Sequence, residues 1–91
     1  MNIEIDHPTD KVNFTIVTIG LVNMAFSYKT LVGVRGEPTG YTWKVHKNVW
    51  GPTTGKHLNW LDDGRQADRL TAAEFEVVAE KATRFELAAR V

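Results

Sequence analysis

The pentapeptide Gly36-Glu37-Pro38-Thr39-Gly40 separates two segments in which apolar and polar residues alternate. Glycine and proline supply the backbone angles that a chain reversal needs. After this turn, each face of an extended strand carries one kind of residue: Tyr41, Trp43, Val45 and Val49 on the apolar face, and Thr42, Lys44, His46 and Asn48 on the polar face. The sequence therefore predicts a β-hairpin made of strands 25–35 and 41–49.

The residues before this hairpin are also typical of β-strands. Segment 12–22 is rich in Ile, Val, Thr and Phe, which favour strands. We place a turn at Asn23 and Met24, and expect residues 1–10 to form either an edge strand or a flexible lead-in. The predicted sheet is antiparallel, with three strands, or four if residues 1–10 join it.

Pro52 is expected to end the sheet, because proline cannot donate a hydrogen bond to a strand ladder. Two helices are expected after it. Thr53 or Thr54 is expected to cap a short helix that ends at residues 62–64. Thr71 and Glu74 have the spacing of a capping box. The long helix that follows has one apolar stripe, formed by Phe75, Val78, Ala82, Phe85 and Ala89. We predict a single α+β domain over residues 1–91, with the final amphipathic helix packed on one face of the sheet over Trp43 and Val45.

Composition excludes several classes of protein and site. The chain has no cysteine, so it has neither disulfides nor cysteine-based zinc sites. No apolar run approaches the about 20 residues that a membrane span needs, and the acidic N-terminus is unlike a secretory signal. We therefore expect a cytoplasmic protein that does not associate with a membrane.

Eleven basic and eleven acidic residues give no net charge, but segment 27–57 holds five basic residues and only one acidic residue. The candidate basic surface consists of Lys29, Arg35, Lys44, His46 and Lys47. One interpretation is a solvated sheet face. The alternative is a surface that binds nucleic acid or another acidic partner, with an affinity that falls as salt rises.

No combination of residues predicts catalysis. The three histidines lie in different segments without the spacing of metal ligands, and Ser27 lacks the flanking glycines of a nucleophile elbow. The acids Asp62 and Asp63 are expected to be solvated in a turn. We predict a protein that is not an enzyme and that has no cofactor or metal.

A second candidate site lies where the short helix begins. Its residues are Thr53, Thr54, Lys56, His57 and Asn59. Residues 50–57 resemble a phosphate loop but lack its spacing, because Trp50 stands where the loop requires glycine and His57 where it requires Ser or Thr. Two interpretations remain open: a polar cluster that fixes the junction of sheet and helix, or a recognition surface whose free helical N–H groups hold an anion or a protein partner.

Two motifs resemble those of a known family. Ser27-Tyr28-Lys29-Thr30 matches a Ser-Tyr-x-Thr strand, and Thr53-Thr54-Gly55-Lys56-His57-Leu58-Asn59 matches a Thr-Thr-x-x-His-x-Asn helix start. Together they resemble a family of short proteins from tailed bacteriophages, many of which infect actinobacteria. The resemblance covers about half of the chain and implies a phage source without implying an activity.

These observations favour a non-enzymatic phage accessory protein that acts in the host cytoplasm by binding a host or phage protein, for host takeover or counter-defence. The alternatives are a nucleic-acid-binding protein that uses segment 27–57 and a sponge for nucleotides or other small molecules. A small core and two open sheet edges favour a homodimer over a monomer.

Overall fold

The computed structural model describes residues 3–7, 13–36 and 40–89 and has an α+β fold, as predicted. Its elements are β1 (Ile3–Asp6), β2 (Phe14–Ile19), β3 (Val22–Ser27), β4 (Thr30–Gly36), β5 (Gly40–Val45), α1 (Pro52–Asp62), a short 3-10 helix (Gln66–Asp68) and α2 (Ala72–Ala89). Each strand pairs antiparallel with the next, in the order β1-β2-β3-β4-β5. The antiparallel sheet and the two helices are thus confirmed.

The predicted strand number is wrong, since the described residues form five strands rather than three or four. Asn23 and Met24 lie inside β3 and not in a turn. The reversals on either side of β3 occur at Gly20, with φ of 58°, and at Tyr28, with φ of 57°. Tyrosine carries no local signal for such a left-handed conformation, so the sequence concealed the second turn. Residues 3–6 form an edge strand, one of the two expected outcomes for this segment.

One face of the sheet is covered by α1. Leu58 and Leu61 pack in a cluster with sheet residues and with the half-buried Trp43; the sheet residues are Phe14, Ile16, Ala25, Val32 and Val45. A Cβ atom on Gly33 would lie 2.9 Å from Leu61 Cδ1. The absence of a side chain at Gly33 therefore allows the close approach of α1 to the centre of the sheet.

The opposite face carries α2. Val22 and Val34 alternate with the residues of the α1 cluster, and each is only 1% exposed. α2 packs against β4 and β5, and the ring of Phe75 lies 5.2 Å from that of His46. The prediction that the final helix covers Trp43 and Val45 is therefore wrong, because α1 occupies that face. The Phe85 and Ala89 side chains lie outside the described residues.

The two edges of the sheet differ. Leu70 runs parallel to the end of β5: its N–H donates to the Val45 carbonyl and its carbonyl accepts from the Lys47 N–H, both at 2.8 Å. Within the described residues no strand pairs with the outer side of β1. No helix in this part of the chain is both long and apolar enough to cross a membrane.

Both helices have defined starts, but only one start is as predicted. α1 begins at Pro52 with Gly51 as its N-cap, and no side chain caps it. The expectation that Thr53 or Thr54 caps α1 is therefore wrong, because proline occupies the first helical position, which it favours. At the start of α2 the capping box is confirmed. The Thr71 N–H donates to Glu74 Oε1 at 2.9 Å, and the Glu74 N–H donates to Thr71 Oγ1 at 3.3 Å.

The capping box makes α2 sensitive to acid. Hydrogen bonds with Thr71 hold the pKa of Glu74 below its ordinary value of 4.5. The backbone N–H of Thr71 has the largest effect and its hydroxyl the next largest. A lowered pKa in the folded state means that the stabilisation is present above pH 4.5 and is lost as the pH falls through the folded value. We expect Glu74→Ala to lower the melting temperature at pH 7, and the melting temperatures of variant and wild type to converge at pH 3. Glu76→Ala, which changes an exposed acid of the same helix, is the control. A deficit for Glu74→Ala that is equal at both pH values would contradict the prediction.

Candidate functional site

Three buried polar side chains meet where α1 crosses the sheet. Ser27 Oγ lies 3.0 Å from Thr54 Oγ1 and 2.7 Å from His57 Nδ1. The imidazole of His57 stacks on the ring of Phe14, with a centroid distance of 4.8 Å and an interplanar angle of 13°. We call Ser27, Thr54 and His57 the junction cluster.

Local structure explains why these residues meet. Thr54 and His57 are three residues apart in α1 and therefore share one side of the helix. Ser27 is paired with Phe14 across β2 and β3, so both side chains point from the same face of the sheet toward α1. The junction cluster thus joins the end of β3 to the first turns of the helix.

A serine hydroxyl beside an imidazole is the pairing of a nucleophile and a base. Here, however, Ser27 and His57 are each only 2% exposed, so a substrate has no access to the hydroxyl. Buried polar groups are costly unless they are hydrogen-bonded, and the cluster meets this need for its three members. Its geometry therefore supports fixing α1 on the sheet.

We expect Ser27→Ala to lower the free energy of unfolding by about 1–3 kcal/mol, because both Thr54 and His57 lose a buried partner. Thr30→Ala is a matched control, since Thr30 lies opposite Ser27 in the adjacent strand but is exposed. That variant should change stability by less than about 0.5 kcal/mol. Urea unfolding measures both values, and similar losses in the two variants would contradict a role for the cluster in stability.

The other predicted residues of the helix start do not join the junction cluster. Thr53 and Lys56 are exposed. Asn59 Oδ1 accepts a hydrogen bond from Arg69 Nη2 at 2.8 Å, near the other end of α1. The five residues predicted as one site are thus divided among the junction cluster, the solvent and a separate contact with Arg69.

Arg69 forms a buried ion pair that the sequence analysis missed. Its Nε and Nη2 atoms donate to the two carboxylate oxygens of Asp62 at 2.8 and 3.1 Å. The side chains of Arg69 and Asp62 are only 5% and 10% exposed. The expectation that Asp62 is a solvated turn acid is therefore wrong, because Arg69 folds back over the end of α1. Arg69 follows the 3-10 helix, and no periodic pattern marks it as buried.

The predicted basic residues do not form one surface. Arg35 lies on the α1 face, where its guanidinium stacks on Trp43 at 4.6 Å and its Nε donates to Asn23 Oδ1 at 3.0 Å. His46 is buried on the opposite face between Trp50 and Phe75. The three lysines are also dispersed: Lys29 in the turn after β3, Lys44 on the α2 face of β5, and Lys47 beyond that strand.

Two surface features could bind a partner or ligand. The first, which we call the apolar surface, lies on the face of the sheet opposite α1, next to the β1 edge. It consists of the exposed Ile3 and Ile5 and the half-buried Val17, Ile19, Met24 and Phe26. The second, the Tyr28 cleft, is an open depression of about 660 Å³. It is lined by His7, Asn13, Thr15, Tyr28, Lys29 and Thr30. The described residues contain no group of three or more acidic or imidazole side chains placed to hold a metal ion.

Comparison with known proteins identifies the family of this chain. No curated protein matches the chain, and no solved structure does. Residues 8–77 match the profile of the family described as "Family of unknown function (DUF8033)", and the chain therefore belongs to that family.

Proposed function

We propose that this chain is a non-enzymatic binding protein that recognises a protein partner through the apolar surface and the adjoining edge of β1. The observation that carries the proposal is the exposure of Ile3 and Ile5, at 53% and 66%, beside the half-buried residues of β2 and β3. Contiguous apolar patches of this kind mark interaction sites. Neither isoleucine is needed for the core that α1 covers.

The edge of β1 indicates the chemistry of the partner. Among the described residues no strand pairs with this edge, and the N–H and C=O groups of an open edge can accept an added strand. The isoleucines of β1 face the apolar surface, whereas Glu4 and Asp6 face the other side of the sheet. The occupant that fits is an extended segment with alternating apolar and basic residues: its apolar side chains extend the apolar surface and its basic ones meet Glu4 and Asp6.

A second copy of the chain fits this edge poorly. Two β1 strands paired antiparallel with their isoleucines on the same face place acid opposite acid, as Glu4 against Glu4 or against Asp6. Like charges directly opposite each other destabilise a strand pair. The charges of β1 therefore favour a different protein over a homodimer formed through this edge.

The phage resemblance supports a host or phage protein as the partner and the host cytoplasm as the place of action, in host takeover or counter-defence. Nucleic-acid binding receives less support, because the basic residues of segment 27–57 lie on separate surfaces. An anion site at the start of α1 is also less favoured, because Thr54 and His57 are buried in the junction cluster.

The test compares three baits in affinity capture from bacterial lysate: the wild type, Ile5→Lys and Val77→Lys. Val77 is a matched control, since it is 52% exposed on α2, outside the apolar surface. We expect a protein that is retained by the wild type and Val77→Lys but lost by Ile5→Lys. Its binding segment, made as a peptide, should shift the amide resonances of β1. Equal recovery by Ile5→Lys, or a wild-type dimer that Ile5→Lys dissociates in light scattering, would overturn the proposal.

A further inference from the structure

We propose that the Tyr28 cleft binds a small phosphate monoester that carries a planar ring, the chemistry of a nucleoside monophosphate. This cleft shares no residue with the apolar surface but adjoins it, because its lining residue Thr15 lies opposite Phe26 in the sheet. The proposal depends on strain in the backbone, on the charges of the lining and on the exposed tyrosine ring.

The backbone of the cleft is left-handed at two positions. Tyr28 has φ of 57° and Asn13 has φ of 63°, and the Tyr28 N–H donates to the Asn13 carbonyl at 2.7 Å. A left-handed conformation is tolerated by asparagine but is unfavourable for a bulky aromatic residue. Glycine would adopt the conformation of Tyr28 at lower cost. Strain that persists in this way is concentrated at sites that bind ligands.

The strained conformation presents the tyrosine side chain to solvent. Tyr28 is 53% exposed and lines the cleft, and its ring lies 6.3 Å from that of His57, tilted by 49°. The ring thus borders the junction cluster on one side, while about half of the residue stays open to solvent. Aromatic rings on a surface provide stacking platforms for planar ligands. A nucleobase is a ligand of this shape.

The rest of the lining favours an anion. Lys29 is exposed and the His7 imidazole lies at the cleft, while Thr15, Thr30 and Asn13 supply hydroxyl and amide donors. None of the described lining residues carries a carboxylate. His7 Nδ1 lies 3.4 Å from both Thr15 Oγ1 and the Phe14 carbonyl, which is long for a hydrogen bond. The imidazole is therefore held loosely enough to turn toward a phosphate.

The experiment titrates the full chain with four probes by isothermal calorimetry and by amide chemical shifts. The probes are adenosine monophosphate, ribose 5-phosphate, adenosine and inorganic phosphate. We expect adenosine monophosphate to bind most tightly, with shifts at Tyr28 and Lys29. Ribose 5-phosphate lacks the base and adenosine lacks the phosphate, so each should bind about tenfold more weakly. Equal binding of adenosine and its monophosphate would overturn the anionic part of the proposal.

Three variants identify the site. Tyr28→Gly relieves the backbone strain, so it should melt at the same temperature as the wild type or higher while losing about tenfold in affinity. Lys29→Gln should also bind more weakly, whereas Lys56→Gln, at an exposed lysine outside the cleft, should bind as the wild type does. No binding of the monophosphate at millimolar concentration would overturn the proposal. So would unchanged affinity in Tyr28→Gly and Lys29→Gln, or an equal loss in Lys56→Gln.

Discussion

Replacing Arg69 with methionine is expected to lower the free energy of unfolding by about 3–5 kcal/mol, because it leaves the Asp62 carboxylate buried without its cation. Both side chains are almost fully enclosed. Asp62 Oδ1 also accepts the Gly64 N–H at 3.0 Å, so the carboxylate cannot turn away without losing this hydrogen bond as well. The substitution removes the hydrogen bond to Asn59 as well.

Urea unfolding at neutral pH measures this loss. Arg84→Met is the control, since Arg84 pairs with Glu80 on α2 with both side chains largely exposed. Exposed pairs contribute about 0–1 kcal/mol. The double variant Arg69→Met with Asp62→Leu should be more stable than Arg69→Met alone, because it no longer buries an unpaired charge. A loss in Arg69→Met as small as that in Arg84→Met would contradict the prediction, because burying the Asp62 carboxylate without Arg69 would then cost little stability.

Gly36→Ala is expected to destabilise the protein by more than about 4 kcal/mol, a loss that few single substitutions cause. Gly36 has φ of 110°, and a Cβ atom there would lie 2.0 Å from the Leu21 carbonyl oxygen. Backbone atoms cannot move aside as a flexible side chain can. The added methyl group would therefore separate β3 from β4 at the Val22–Gly36 pair.

Gly40→Ala isolates the contribution of backbone strain. Gly40 has φ of 96°, but no atom of the described residues lies within 4 Å of a Cβ atom placed there. We expect this variant to lose about 1–3 kcal/mol from strain alone. Thermal unfolding followed by circular dichroism compares the two alanine variants. If the two variants melt at the same temperature, the contact with Leu21 does not contribute to the stability loss of Gly36→Ala.

Features that depend on neighbouring residues could be predicted from the sequence. Thr71 and Glu74 lie three residues apart, so the capping box needs no information from elsewhere in the chain. The strands on either side of the Gly36–Gly40 turn pair antiparallel as expected. Their predicted bounds, 25–35 and 41–49, are wrong, because a turn at Tyr28 divides the first and the second ends at Val45. The turn residues between them, 37–39, lie outside the described residues. The left-handed Asp63 and the Gly64 that follows it end α1, as predicted.

Features that depend on distant contacts could not be predicted. Val32 is an extra residue in β4, where the register shifts between Ala25 and Phe26. The shift brings Val32 to the α1 face beside Val45 and breaks the simple alternation of β4. An amphipathic stripe shows that α2 has a buried side, but it does not indicate which face of the sheet receives it. The contact between Ser27 and His57 joins residues 30 positions apart.

Both helices pack against β4 and β5, whereas every side chain of β1 is exposed. Unequal cover of this kind produces a gradient of local opening. Amide hydrogens should exchange fastest in β1 and slowest in β4. Pairing of a partner segment with the outer edge of β1, as proposed above, would therefore hold in place the strand that opens most easily, so the exchange of the β1 amide hydrogens should slow while that of β4 stays unchanged.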